Sequence, residues 1–203
     1  MSATSTRRSR RVLLPVAVLV VLAAVGGTMA SGVLGEDRAA QGPRRTPVTE
    51  VDLRAPARQP GFPAAASQPT EAGATAFALF WFDTLNYSLD RLDTQALASY
   101  TGAGCGQCNG WLVAISRWKS AGSTLEGGLT VPLNLAIGPF RKAEPVQLTA
   151  DYLTTPATVV DSSGKAADYP GGRTRGGLTV IYANGRWQMT DVVLDVTQAG
   201  ARP

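Results

Sequence analysis

The sharpest chemical signal in this sequence is Cys105-Gly106-Gln107-Cys108, which holds the only two cysteines among 203 residues. Thiols at this spacing can close a disulfide, act as a redox pair whose first thiolate leans on a helix N-terminus, or supply two ligands to a metal. A thioredoxin-like pair follows a strand in a βαβ setting, whereas this pair follows a short helical stretch and a Gly-rich turn. Two thiolates are half of a tetrahedral site, and the chain contains no histidine to complete one. A structural disulfide is the favoured reading, ahead of a reduced inert pair, with redox exchange and a shared metal site behind. So small a loop removes little unfolded-state entropy, which puts the bond at the low end of the ~0–5 kcal/mol range.

The missing histidine also excludes Ser-His and Cys-His couples and a histidine pH switch. The remaining groups with chemistry are the hydroxyls of Tyr87, Tyr152 and Tyr182 and the carboxylates of Asp83, Asp151 and Asp191. Asp83 falls off the Phe77-Phe80-Trp81 stripe, and Asp151 falls on the outward set of its strand. Asp191 alternates with Trp187 and Met189 and is expected to point inward. Trp81, Tyr87, Tyr152, Tyr182, Trp187 and Asp191 are therefore the candidate pocket, although most of the aromatic residues are expected to be core. No catalytic set, metal-ligand set or cofactor motif is found. Thr101-Gly102-Ala103-Gly104 and Pro170-Gly171-Gly172 lack the strand and the Lys-Ser/Thr of a phosphate loop and read as turns. Asn86-Tyr87-Ser88 fits the glycosylation acceptor pattern but lies within a helix.

Those side chains must be positioned by a domain, and charge locates it. The formal net charge is +4. Residues 1–11 hold four Arg and no acid, and residues 36–69 hold five Arg against four acids. Residues 70–203 carry ten Lys+Arg against eleven Asp+Glu, so the body is nearly neutral and a nucleic-acid partner is not expected.

The basic tail at 1–11 precedes an uncharged stretch, 12–35, with the apolar centre VLLPVAVLVVLAAV. As a helix it would span ~36 Å against a hydrocarbon core of ~30 Å, so it reads as a single transmembrane helix. The alternative is a signal peptide cleaved after Thr28-Met29-Ala30. A lipoprotein signal is excluded because no cysteine precedes Cys105. The Arg cluster places the N-terminus in the cytoplasm and the C-terminal domain on the extracytoplasmic side of the cell membrane. Residues 36–69 hold six prolines and one aromatic, Phe62, and read as a disordered Pro/Ala-rich linker.

Within 70–199 the order is helices, then strands. Thr70 and Glu71 open a helix whose apolar residues Phe77, Phe80, Trp81, Thr84 and Leu85 make one face. Asp93 caps a short helix through Ala96, Leu97 and Tyr100. Cys108, Leu112, Ile115 and Lys119 line a third, with Trp111 and Trp118 beside them, and Gly122 ends it. The period then changes to two. Leu129, Val131, Leu133, Leu135 and Ile137 face one way and Thr130, Pro132, Asn134 and Ala136 the other; Val146 to Tyr152 alternate likewise. A loop at 162–172 follows, and Asn184-Gly185 joins two last strands as a tight hairpin. Residues 200–203 are a tail. This is an α+β class, two to three helices on a curved antiparallel sheet.

The order of elements resembles the cone-shaped fold of the nuclear transport factor two, SnoaL and cystatin-like group. More narrowly, Phe77-x3-Trp81-Phe82-Asp83-x-Leu85-Asn86-Tyr87, the Cys105-x2-Cys108 pair and Gly185-Arg186-Trp187 resemble an actinobacterial family of membrane-attached domains, often lipoproteins, of unknown activity. The resemblance implies fold and location and no chemistry. The expected function is non-enzymatic binding of a protein or cell-envelope component. A carrier of small apolar or aromatic ligands and a thiol-disulfide protein acting through Cys105 and Cys108 are the alternatives. Polar outward residues, Thr130, Asn134, Gln147 and Thr149, are compatible with a homodimer and equally with solvent.

Overall fold

The structure, a computed structural model, describes residues 44–45 and 54–195. The basic tail, the expected membrane segment at 12–35, most of the linker and the tail at 200–203 lie outside these residues. No helix among the described residues is long and apolar enough to cross a membrane. The elements are β1 (Arg44–Arg45), a 3-10 turn (Ala64–Ser67), α1 (Glu71–Arg91), α2 (Gln95–Ser99), α3 (Gly106–Ser120), β2 (Thr124–Gly127), β3 (Thr130–Ile137), β4 (Val146–Thr154), β5 (Ala157–Val160), β6 (Ala166–Tyr169), β7 (Gly172–Ala183) and β8 (Arg186–Asp195).

Local chemistry explains the ends of α1. The Thr70 hydroxyl accepts from the Gly73 N–H at 3.0 Å, Glu71 sits in the first turn and Arg91 in the last, matching the helix dipole. Leu92, left-handed at φ 49°, stops it. One apolar face was expected, but Phe77, Trp81 and Leu85 are fully buried and Phe82 is 1% exposed, so most of the circumference is covered. A helix apolar on most sides is a central element, here enclosed by a sheet and by the shorter helices. This gives a cone-like α+β arrangement.

The main sheet runs β1-β3-β4-β7-β8, and its pairs are antiparallel. Asn184 (φ 54°) and Gly185 (φ 78°) make the two-residue β7–β8 hairpin that their sequence predicts. Two bulges change the faces. In β3 the register slips between Leu133 and Ala136, at Asn134 with φ 49°. Opposed residues share a face, so Thr130 and Pro132, opposite Thr154 and Tyr152, point inward rather than outward. Thr130 is 5% exposed, a correction to its outward placement; Asn134, Gln147 and Thr149 are exposed. The second slip, between Thr179 and Val180, makes Thr190 the extra residue of β8. That reverses the alternation after Met189 and turns Asp191 out to solvent, contrary to its expected inward direction.

A second sheet, β2-β5-β6, was not expected, because 162–172 reads as a loop. Its strands have four residues each, and all of β6 is exposed, so no period-two burial marks them. At the β5–β6 turn, Asp161 Oδ1 accepts from the Ser163 hydroxyl, the Ser163 N–H and the Lys165 N–H at 2.6, 2.9 and 3.0 Å. The Ser163 hydroxyl, first among these, holds the Asp161 carboxyl below its ordinary range.

Residues 54–69 correct the linker boundary. They form a strap packed on the domain: Ala66 is fully buried, and Phe62 stacks on Tyr100 at 5.7 Å and meets Phe80 edge-on at 5.2 Å. Tyr182 Oη donates to the Ser67 carbonyl at 3.1 Å, Trp187 Nε1 to the Gln68 carbonyl at 3.2 Å, and Arg91 to the Ala57 carbonyl at 3.0 Å. Gly73 permits this, since a Cβ there would run into the Gln68 carbonyl oxygen. Prolines that make the spacer look unstructured also narrow its unfolded ensemble, so few contacts suffice to order it.

Ala143 holds φ 68° in an exposed turn without the freedom of glycine. Ala143→Gly is expected to stabilise by about 0.5 kcal/mol, relief of the left-handed backbone exceeding the entropy cost of glycine. A melting temperature at or below that of the parent chain would contradict it.

Candidate binding cleft

The expected pocket residues do not converge on one cavity. Trp81 is fully buried, donates from Nε1 to the Thr101 hydroxyl at 3.3 Å and packs on Trp111 at 5.7 Å. Tyr152 is fully buried against Phe82 at 5.4 Å; its hydroxyl has no hydrogen-bond partner among the described residues, and burial pushes its pKa up. Trp187, 1% exposed, stacks on Phe77 at 6.4 Å. These rings fill the inside of the cone. Tyr182 is spent on the strap, Asp191 points to solvent, and Asp151 lies outward with its carboxylate 3.0 Å from Arg175 Nε.

Cys105 and Cys108 form a disulfide with Cα atoms 5.3 Å apart at the start of α3. Cys105 Sγ accepts from the Cys108 N–H at 3.3 Å and so serves as the N-cap of the helix. Both residues are fully buried, which leaves an attacking thiolate no route to either sulfur. Among the described residues no three of His, Cys, Asp and Glu gather to hold a metal ion.

Asp83 sits on the outer side of α1 and is exposed, yet desolvation by its surroundings raises its pKa. A carboxyl easier to protonate in the folded than in the unfolded chain lends stability as pH falls and costs stability when ionised. Asp83→Asn is therefore expected to raise the melting temperature at neutral pH, with the gain shrinking towards about pH 3 as both states of the parent protonate. A gain that grows on acidification would overturn this.

Of the expected residues, Tyr87 lines an open cleft. Gln59, Tyr87, Asp93, Gln95, Ala96 and Ser99 enclose about 300 Å³ between the strap, the end of α1 and α2. Asp93 Oδ1 accepts from the Gln95 N–H at 3.1 Å, and the Ser99 hydroxyl donates to the Ala96 carbonyl at 2.7 Å, so local bonds hold this wall. Tyr87 is half-buried. A second cleft, of about 440 Å³, is lined by Ala55, Asp90, Leu125, Glu126, Gly127, Leu129, Thr155 and Pro156, and the strap borders it as well. Gln59, Gln95 and Ser99 carried no sequence signal, because isolated polar residues in a spacer and on a short helix read as solvated surface.

No curated protein matches the chain. Among solved structures, Aln2 from a Streptomyces species is 14% identical over 60% of this chain and 86% of its own, with a TM-score of 0.38. The intermembrane space region of the chloroplast protein ARC6 is 12% identical over 60% of this chain and 92% of its own, also with a TM-score of 0.38. Likenesses at that level say nothing about activity. Residues 55–193, well over half of the chain, match the model of DUF6318, a family of unknown function, and the chain belongs to that family.

Proposed function

We propose that this protein is a membrane-tethered, non-enzymatic binding domain that takes a cell-envelope component on the outer side through the cleft at Tyr87. The filled interior carries the reading. In a cone-shaped domain a carrier or an enzyme would use the inside, and here Phe77, Trp81, Tyr152 and Trp187 occupy it, each no more than 1% exposed. Binding is left to the surface, and the Tyr87 cleft gathers five side chains with polar groups there. The expected helix at 12–35 supplies the tether, and the chain beyond it supplies reach. The buried disulfide fits a structural role on an oxidising side of the membrane better than exchange chemistry.

The test is co-sedimentation of the full-length chain with isolated cell envelopes. Binding that falls at least about tenfold, ~1.4 kcal/mol, on Tyr87→Ala or Gln95→Ala is expected. Absence of binding by the parent chain, or release of a product from the envelopes, would overturn the proposal.

A further inference from the structure

Resting on that reading, we infer that the Tyr87 cleft is a site for a neutral saccharide chain and that the strap completes it. Among the described residues, five of the six lining side chains carry hydrogen-bonding groups, none is cationic, and Ala96 contributes the single apolar one. An anionic ligand would meet the Asp93 carboxylate with no compensating cation in the lining, and an apolar ligand would find little to bury against. The two amides of Gln59 and Gln95 both donate and accept, as does the Tyr87 hydroxyl. Ser99, whose proton is engaged by the Ala96 carbonyl, and Asp93, with one oxygen on the Gln95 N–H, are left to accept. A partner that offers closely spaced donors and acceptors together is a polyol, and the half-buried Tyr87 ring gives its C–H face a flat wall. A peptide added as a strand is disfavoured, since helices, a helix–helix turn and the strap form the cleft, with no sheet edge in its lining.

One wall, Gln59, belongs to the strap. It is held in place by Arg91 on the Ala57 carbonyl and by Phe62 packed against the Phe80–Tyr100 pair. Saccharide binding and strap docking are thus one linked equilibrium: whatever displaces the strap opens the site, and ligand in the site holds the strap down.

Saturation-transfer NMR on the full-length chain, in a detergent without a sugar headgroup, tests this with chitotetraose and maltotetraose as neutral probes. Tetragalacturonate serves as an anionic probe and tetra-alanine as a peptide. The expected result is a signal from at least one neutral oligosaccharide and weaker or no signal from the other two. Tyr87→Ala and Gln59→Ala should each weaken binding about tenfold or more. Phe62→Ala should do the same although Phe62 does not line the cleft, with the near-ultraviolet signal of the tryptophan core unchanged. Stronger binding of the anionic probe, or of the peptide alone, overturns the ligand class. Silent saccharides alongside Tyr87-dependent envelope binding overturn the saccharide and leave the envelope reading standing, whereas loss of both removes the two together. A Phe62→Ala chain that binds like the parent overturns the role of the strap.

Discussion

Replacing Asn86 by Ala is expected to destabilise the domain by about 3 kcal/mol or more, because each buried backbone group left unpaired costs roughly 1–3 kcal/mol. The Asn86 amide faces the backbone of Thr130 with both of its ends: Nδ2 donates to the Thr130 carbonyl at 3.1 Å, and Oδ1 accepts from the Thr130 N–H at 2.9 Å. Both residues are buried, at 5% exposure each. The side chain thus stands where a neighbouring strand would stand, and it pins the start of β3 to α1. Asn86→Asp separates shape from chemistry. The carboxylate still accepts from the N–H but sets an oxygen against the Thr130 carbonyl, so a similar loss at neutral pH and partial recovery in acid are expected. Urea unfolding of the three chains measures this, and an Ala variant within about 0.5 kcal/mol of the parent, the range of an ordinary surface change, would refute it. The same geometry disposes of the glycosylation pattern at Asn86-Tyr87-Ser88, since its amide nitrogen is buried and engaged.

The second large effect is expected at Trp187. Trp187→Ala should cost about 3–5 kcal/mol, the range for emptying a large aromatic from a core. It withdraws the ring that stacks on Phe77 and meets Tyr182 at 5.2 Å, and it frees the Gln68 carbonyl of the strap. Trp187→Phe keeps most of the packing and loses the hydrogen bond, with an expected cost of about 1 kcal/mol. Both variants should hasten tryptic cleavage after Arg58, an exposed basic residue in the strap, and the Phe variant should do so while the rest of the domain resists. Cleavage unchanged in the Phe variant would mean that Trp187 does not hold the strap.

Features with a local cause were legible in the chain. The Thr70 cap, the Asn184-Gly185 turn and the alternation along β4 each depend on residues within a few positions of one another, and each forms as its spacing predicts. Asp191 shows where such reasoning stops. Its inward direction follows from counting by two from Trp187, and a single extra residue at Thr190 reverses the count. Nothing in Met189-Thr190-Asp191 marks the bulge. Its surroundings do: the Tyr100 carbonyl and the Gly102 N–H both bond Met189, and the Thr190 hydroxyl bonds the Thr179 carbonyl, contacts made by segments remote in sequence.

The candidate site escaped for a related reason. Gln59 lies 28 positions before Tyr87, and proline-rich composition argued that its segment would stay in solvent. The strap docks because Phe62 packs against the Phe80–Tyr100 pair, and because the Ser67 and Gln68 carbonyls find Tyr182 and Trp187, more than a hundred residues later. The family match begins at residue 55, within this strap.

By itself the sequence determined the α+β order of elements, the ends of α1, the final hairpin and the absence of histidine chemistry, because these follow from residue types and short-range periodicity. Tertiary structure alone decided which aromatics fill the cone, which way Asp191 and Thr130 point, and that a spacer segment and the end of α1 share a cleft. Faces and clefts are set by register and by docking between distant segments, and a bulge or a bound strap alters both without changing the local pattern from which a sequence is read.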